Sequence, residues 1–144
     1  MTTHQYQHKV QYYETDQMGM VHHSNHIRWF EEARVDYLAA VGLPYDQMEA
    51  EGIGSPALAV QCQYKSKVVF GETVTLHVSL LKYNGLRMTI GYQVLGSDGK
   101  VRCVGESGHC FLNREGRPVT LAKVKPEWHA VFLQQLEKAE TTDR

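Results

Sequence analysis

The feature that most limits what this chain can fold into is a single apolar stripe. Ile27, Phe30, Ala33, Tyr37, Leu38 and Val41 recur at spacings of three and four, which predicts one long amphipathic helix. Ser24 or Asn25 is expected to cap its start, because side-chain oxygens there accept from N–H groups the helix leaves unpaired. Gly42 ends it and Pro44 prevents resumption. Residues 45–52 predict only a short helical turn, and Glu127 to Lys138 a C-terminal helix.

Strands account for the rest. Residues 6–13 read as a short first strand, followed by a loop from Glu14 to His22. Beyond the helix, Leu58, Val60, Cys62 and Tyr64 alternate. So do Val74, Leu76, Val78 and Leu80, with Thr73, Thr75, His77 and Ser79 facing the other way. Met88, Ile90, Tyr92 and Val94 form a third run, and residues 100–112 a fourth, softened by Gly105 and Gly108. Gly71, Asn84-Gly85 and Asp98-Gly99 mark the turns, and Pro118 closes the sheet region. The expected order is strand, long helix, then four meandering strands. Such alternation means antiparallel pairing with one face buried. The fold class is therefore α+β, a curved antiparallel sheet wrapped around one long central helix. One helix barely covers such a sheet, and an open edge strand is a liability, so a homodimer formed by edge pairing is expected.

The 144 residues fit a single domain over 1–144. A formal net charge of −1 gives no overall field to attract nucleic acid or an anionic membrane, and no basic stripe carries interleaved aromatics. The first twenty residues lack the apolar centre of a signal peptide, and no run reaches the ~20 apolar residues of a membrane helix. Cys62, Cys103 and Cys110 are odd in number and form no CxxC pair, against a disulfide framework or a zinc knuckle. The expectation is a cytoplasmic protein with reduced, mostly buried thiols.

Residues 13–26 hold the chemistry-bearing side chains. Asp16 alone reads as a turn or capping residue, and Gly19 as a supplier of an unusual backbone angle. Together with the helix start they admit more. Unpaired N–H groups near His23 and Ser24 lie where the helix dipole favours negative charge, a place for a thioester oxygen. A carboxylate at Asp16, seven residues earlier, can then attack the carbonyl or activate water.

The run from Tyr12 to Arg34 resembles the signature of the 4-hydroxybenzoyl-CoA thioesterase family of the hotdog superfamily. Asp16, Gly19, Val21, Asn25 and the Trp29-Phe30 pair fall in place. The similarity continues through Gly42-Leu43-Pro44, Gly54-Ser55-Pro56 and Phe70-Gly71-Glu72, and covers roughly residues 8–120. The resemblance implies a hotdog fold and hydrolysis of an acyl-CoA to a free acid and coenzyme A, with no metal and no organic cofactor. It implies Asp16 as the catalytic carboxylate and His23 as the residue whose N–H polarises the carbonyl; the His23 side chain either assists or only caps the helix. Tyr13, Gly19, His22, Ser24, Asn25, Ser55 and Pro56 are expected on the substrate side, with Trp29 and Phe30 either beside the acyl group or in the core, and the resemblance places coenzyme contacts at the Asn84-Gly85 hairpin that Lys82 and Arg87 flank. Lys65, Lys67, Arg114 and Arg117 are further basic candidates. The family tends toward tetramers built from dimers. His22 and His26 depart from it, standing where the family has aromatics.

Other readings compete. His22 with His26, and His4 with His8, have the i,i+4 spacing of metal ligands, but no HExxH is present. Glu31 and Glu32 are placed on the helix as a carboxylate catalyst would be in other hotdog branches, yet fit surface ion pairs such as Arg28–Glu32 better. No His-x-Pro-Gly block supports a hydratase. A non-catalytic acyl-CoA-binding module stays open.

Overall fold

The computed structural model describes residues 4–142. Strand β1 (His4–Lys9) leads through a 3-10 turn (Tyr12–Glu14) and a loop into helix α1 (Ser24–Ala40). Then follow α2 (Tyr45–Ala50), β2 (Ala57–Tyr64), β3 (Thr73–Tyr83), β4 (Arg87–Leu95) and β5 (Val101–Cys110). Two helices close the chain, α3 (Leu121–Val124) and α4 (Pro126–Thr142).

The five strands form one antiparallel sheet in the order β1-β3-β4-β5-β2. The expected meander is therefore confined to β3, β4 and β5. β2 pairs with β5 at the far edge, and residues 65–72 cross back to the sheet centre, roughly 14 Å at the usual strand spacing. The first strand is also shorter than residues 6–13. The Glu14 carboxylate accepts the Gln11 N–H at 2.7 Å and the Glu14 N–H bonds back to Gln11 O, which coils the chain after Lys9.

The buried face of α1 is Asn25, His26, Trp29, Phe30, Ala33, Arg34, Tyr37 and Leu38. Trp29, rather than the exposed Ile27, anchors the apolar stripe. It packs with Val74, Leu76, Val78 and Leu80 of β3 and Met88, Ile90, Tyr92 and Val94 of β4 in one core. Each such fully buried side chain contributes about 1.5–3 kcal/mol relative to exposure. Phe30 stacks parallel on Tyr92 at 4.3 Å. That approach requires Gly105, because a Cβ there would collide with the Phe30 ring and the Gln61 carbonyl. At the other end α4 packs Phe132 on Tyr83 and Phe111, and Tyr37 Oη donates to Gln135 Oε1 at 3.2 Å.

The topology gives the sheet two distinct ends. The β1–α1 loop, the 65–72 crossing and the β4–β5 turn lie at one end. The β3–β4 hairpin, the start of β2 and the end of β5 lie at the other. Helix α1 runs from the first end to the second.

Candidate active site

Asp16 sits in a tight turn that it helps to build. Its N–H donates to Met20 O at 2.8 Å, its carbonyl accepts from Gly19 N–H at 3.1 Å, and its Oδ1 accepts from Met18 N–H at 2.8 Å. Gly19 closes the turn at φ +79°, a left-handed angle that a side chain resists. The structural role read for Asp16 is thus real, yet it uses one carboxylate oxygen. Oδ2 has no hydrogen-bond partner among the described residues. A Thr15–Val21 bridge closes the loop, and Val21 N–H is tied to Val68 O.

The helix start differs from the expected caps. His23 is the N-cap, already in helical geometry, and its side chain makes no capping bond. Ser24 and Asn25 do not cap. The Asn25 amide is buried and donates to Glu14 O at 2.8 Å, while the Ser24 N–H and Oγ both meet His22 Nδ1. His22 N–H also donates to Glu14 O. The His23 N–H has no partner among the described residues. It is a free donor at the positive end of a 17-residue helix. The exposed His23 ring stacks on His22 at 4.1 Å, and Tyr64 Oη donates to His23 O at 2.9 Å.

Beneath this loop lies a buried carboxylate that sequence reasoning missed. Glu14 is 4% exposed. Its Oε1 accepts from Gln11 N–H and meets His8 Nε2 at 2.8 Å, and its Oε2 accepts from Trp29 Nε1–H at 2.7 Å. Burial alone would raise the Glu14 pKa, but these hydrogen bonds outweigh it and hold the carboxyl below its usual range. His8 Nδ1 reaches Glu32, which also accepts from Tyr6 Oη, so Glu32 serves β1 and not the expected pairing with Arg28. His26 packs against Trp29, and burial pushes its pKa down to about 4, a neutral ring at neutral pH. Among the described residues no three His, Cys, Asp or Glu side chains gather as a metal site.

The other candidates divide between the two ends. Tyr13, 80% exposed, lies on the 3-10 turn near Asp16. Ser55 and Pro56 precede β2 at the opposite end, with Ser55 buried. Lys82 and Arg87 also stand there, roughly 30 Å from the Asp16 end along β3. Lys65 and Lys67, on the crossing that begins at Tyr64, are the expected basic residues beside the helix start. Arg114 donates to Ala50 O at the end away from Asp16. Burial, then the neighbouring Cys62, pushes the Cys103 thiol up to about 12, far from a nucleophilic thiolate.

A second polar group, also unforeseen, occupies the flank of α1. Arg34 Nη1 stands 2.9 Å from His109 Nδ1, Ser107 Oγ 2.7 Å from His109 Nε2, and Tyr92 Oη 2.6 Å from Ser107 Oγ. All four side chains line a cavity of about 200 Å³ with Ile27, Phe30, Ala57, Val60 and the exposed Arg28 and Glu31. Its one signal in the sequence was an arginine four residues from both Phe30 and Leu38, inside the apolar stripe.

Comparison with known proteins bears on this geometry. The model of the thioesterase-like superfamily matches residues 10–136. YneP of Bacillus subtilis (strain 168), provisionally named an acyl-CoA thioesterase, is 33% identical over 125 residues, which cover 86% of this chain and 91% of that protein. A provisionally named esterase of Aquifex aeolicus (strain VF5) is 35% identical over 118 residues, 82% of this chain and 91% of that one. Among solved structures, a DHNA-CoA thioesterase from Staphylococcus aureus superposes with a TM-score of 0.93 at 27% identity, over 99% of this chain and 95% of that one. The α+β arrangement is thus the hotdog fold of these thioesterases.

Proposed function

The chain belongs to the thioesterase-like superfamily, and from that premise we propose that it hydrolyses an acyl-CoA to a free acid and coenzyme A. The 4-hydroxybenzoyl-CoA branch that the motif resembles is a finer assignment than this membership. The observation that carries the reading is the unpartnered His23 N–H at the positive end of α1, two residues beyond the closed loop that carries the free Oδ2 of Asp16. In this reading the thioester oxygen accepts from His23 N–H, which stabilises the negative charge that develops on it. Asp16 Oδ2 either attacks the carbonyl carbon or takes a proton from an attacking water, and the coenzyme A thiolate leaves. Lys65 and Lys67 flank the same end and suit the coenzyme phosphates. Both groups of the reaction come from the protein, so the reading needs no metal or organic cofactor. It treats residues 1–144 as one domain working in the cytoplasm.

A second copy completes this picture. The free edge of β2 exposes Leu58 at 52%, Val60 at 40% and Tyr64 at 46%, an apolar edge suited to pairing with itself. Lys82 and Arg87, remote from Asp16 within one chain, serve the coenzyme only from such a second copy. Light scattering is expected to give a dimer or tetramer, and Leu58→Lys to shift the mass toward the monomer; a monomeric wild type removes the edge-pairing proposal.

The decisive test is release of free thiol from a panel of aromatic, short and long acyl-CoAs. Turnover of at least one supports hydrolysis. Because Asp16 is also a working turn residue, acyl-CoA binding without turnover would replace this reading with a non-catalytic binding module.

A further inference from the structure

We propose that the Arg34–His109–Ser107–Tyr92 floor of the α1 cavity is a specificity subsite for an oxygen acceptor at the far end of the acyl group. This rests on the thioesterase reading above. The cavity lies further along the same α1–β2 seam as the helix start. Tyr64 of β2 bonds His23 O and lies edge-on to His26, while Val60 and Ala57 of the same strand face Ile27, Phe30 and Arg34 further along. An acyl tail leaving a carbonyl held at His23 therefore runs between α1 and β2 toward this cavity. Arg34 is eleven residues on, about 16 Å of helix, and its side chain leans back toward the N-terminus. A medium-length acyl chain spans the remainder.

The floor offers donors. Arg34 Nη1 stands 2.9 Å from His109 Nδ1 and 3.3 Å from Nε2, over the ring and not along either lone pair. The ring's own bonds are Nδ1–H to Ser55 O at 3.1 Å and Ser107 Oγ–H to Nε2 at 2.7 Å, with the Tyr92 hydroxyl donating to Ser107. The Arg34 guanidinium is thus the donor group left to the cavity it lines. Arg34 is 7% exposed and pairs at 3.9 Å with the exposed Glu31, which lines the same cavity. Among the described residues no oxygen lies within hydrogen-bond distance of its guanidinium, so its N–H groups are left to a ligand. The apolar walls of Ile27, Phe30 and Val60 fit the chain that leads there.

The test compares kcat/KM for three acyl-CoAs of one length: octanoyl-CoA, 8-hydroxyoctanoyl-CoA and suberyl-CoA. Wild type is expected to favour at least one oxygen-ended substrate by about 10-fold or more. A gain for suberyl-CoA identifies a carboxylate as the natural acceptor, and a gain for 8-hydroxyoctanoyl-CoA a hydroxyl. Arg34→Met is expected to bring the ratio to octanoyl-CoA within about 3-fold while octanoyl-CoA turnover persists, which shows that the variant is folded. Arg34→Gln, which removes the charge but keeps a polar side chain, is expected to erode the same ratio and stands in if Arg34→Met does not fold. Octanoyl-CoA turned over as well as the oxygen-ended pair overturns the subsite and leaves the thioesterase reading intact. Failure of wild type on every acyl-CoA overturns both.

Discussion

Asp16→Asn is expected to slow thiol release from the preferred acyl-CoA by at least ~100-fold while acyl-CoA binding changes little. The magnitude follows from what the substitution removes. A positioned base contributes ~10²–10⁴ in rate, and a carboxylate nucleophile has no substitute in an amide. The selectivity follows from what it keeps. Asn retains an oxygen at the position of Oδ1, so the 2.8 Å bond from Met18 N–H and the turn closed by Gly19 both survive. The His23 N–H, which belongs to the backbone, is untouched. The loss should therefore appear in kcat with KM nearly constant, because in the proposed role the group acts on the transition state and not on ground-state binding. Measurement of kcat and KM beside a calorimetric Kd decides the matter. Full activity in Asp16→Asn would remove the catalytic assignment and leave only the turn. A parallel fall in Tm and activity would point the same way.

What the sequence shows of this fold is what local period encodes. The stripe of α1, apart from the exposed Ile27, and the alternation of β3 and β4 stand as expected, and so do the hairpin glycines at Gly85 and Gly99, because each depends on near neighbours alone. Sheet order does not. The alternation of Leu58, Val60, Cys62 and Tyr64 is the same whether β2 pairs with β3 or with β5, and the choice of β5 rests on the crossing of residues 65–72. The site divides in the same way. Asp16 and the helix start were legible through the motif, since its spacing survives in one dimension. Glu14 was not, although it stands two residues from Asp16. A glutamate in a loop reads as solvated, and only the fold brings Trp29, His8 and Gln11 around it. The caps failed for a related reason. Asn25 and Ser24 are good capping residues, but the Glu14 carbonyl and the His22 ring compete for their polar atoms and win. Arg34 was hidden by its setting, since the apolar stripe around it carried the helix assignment.

Glu14→Gln is expected to lower Tm by about 10 °C and to flatten the acid side of the stability profile. Both carboxylate oxygens of Glu14 accept from N–H groups that have no freedom to turn: Gln11 N–H on Oε1 and Trp29 Nε1–H on Oε2. An amide has one oxygen. Whichever way it is placed, its NH₂ faces one of these donors, and a buried donor is left unsatisfied at a cost of about 1–3 kcal/mol. Loss of the charge-assisted bonds adds to this, for a total of roughly 3 kcal/mol, or about 10 °C in a chain of this size. The pH dependence follows from the direction of the shift. Its hydrogen bonds hold the folded Glu14 carboxyl below the ordinary glutamate value of 4.5. Its stabilisation is therefore complete above that value and is lost as pH falls through the folded pKa. Glutamine does not titrate, so the difference between the two proteins should shrink as the pH is lowered below 4.5. Thermal melts of wild type and variant from about pH 3 to 7 measure it. Equal Tm values at neutral pH would show that the Glu14 network does not hold the loop. A gap that stays constant down to the acid limit would show that its bonds do not depend on the charge. Glu14 O also accepts from Asn25 and from His22 N–H, which join the loop to the first turn of α1. A loosened Glu14 should therefore misplace Asp16 relative to His23, and activity should fall at temperatures where the variant is still folded.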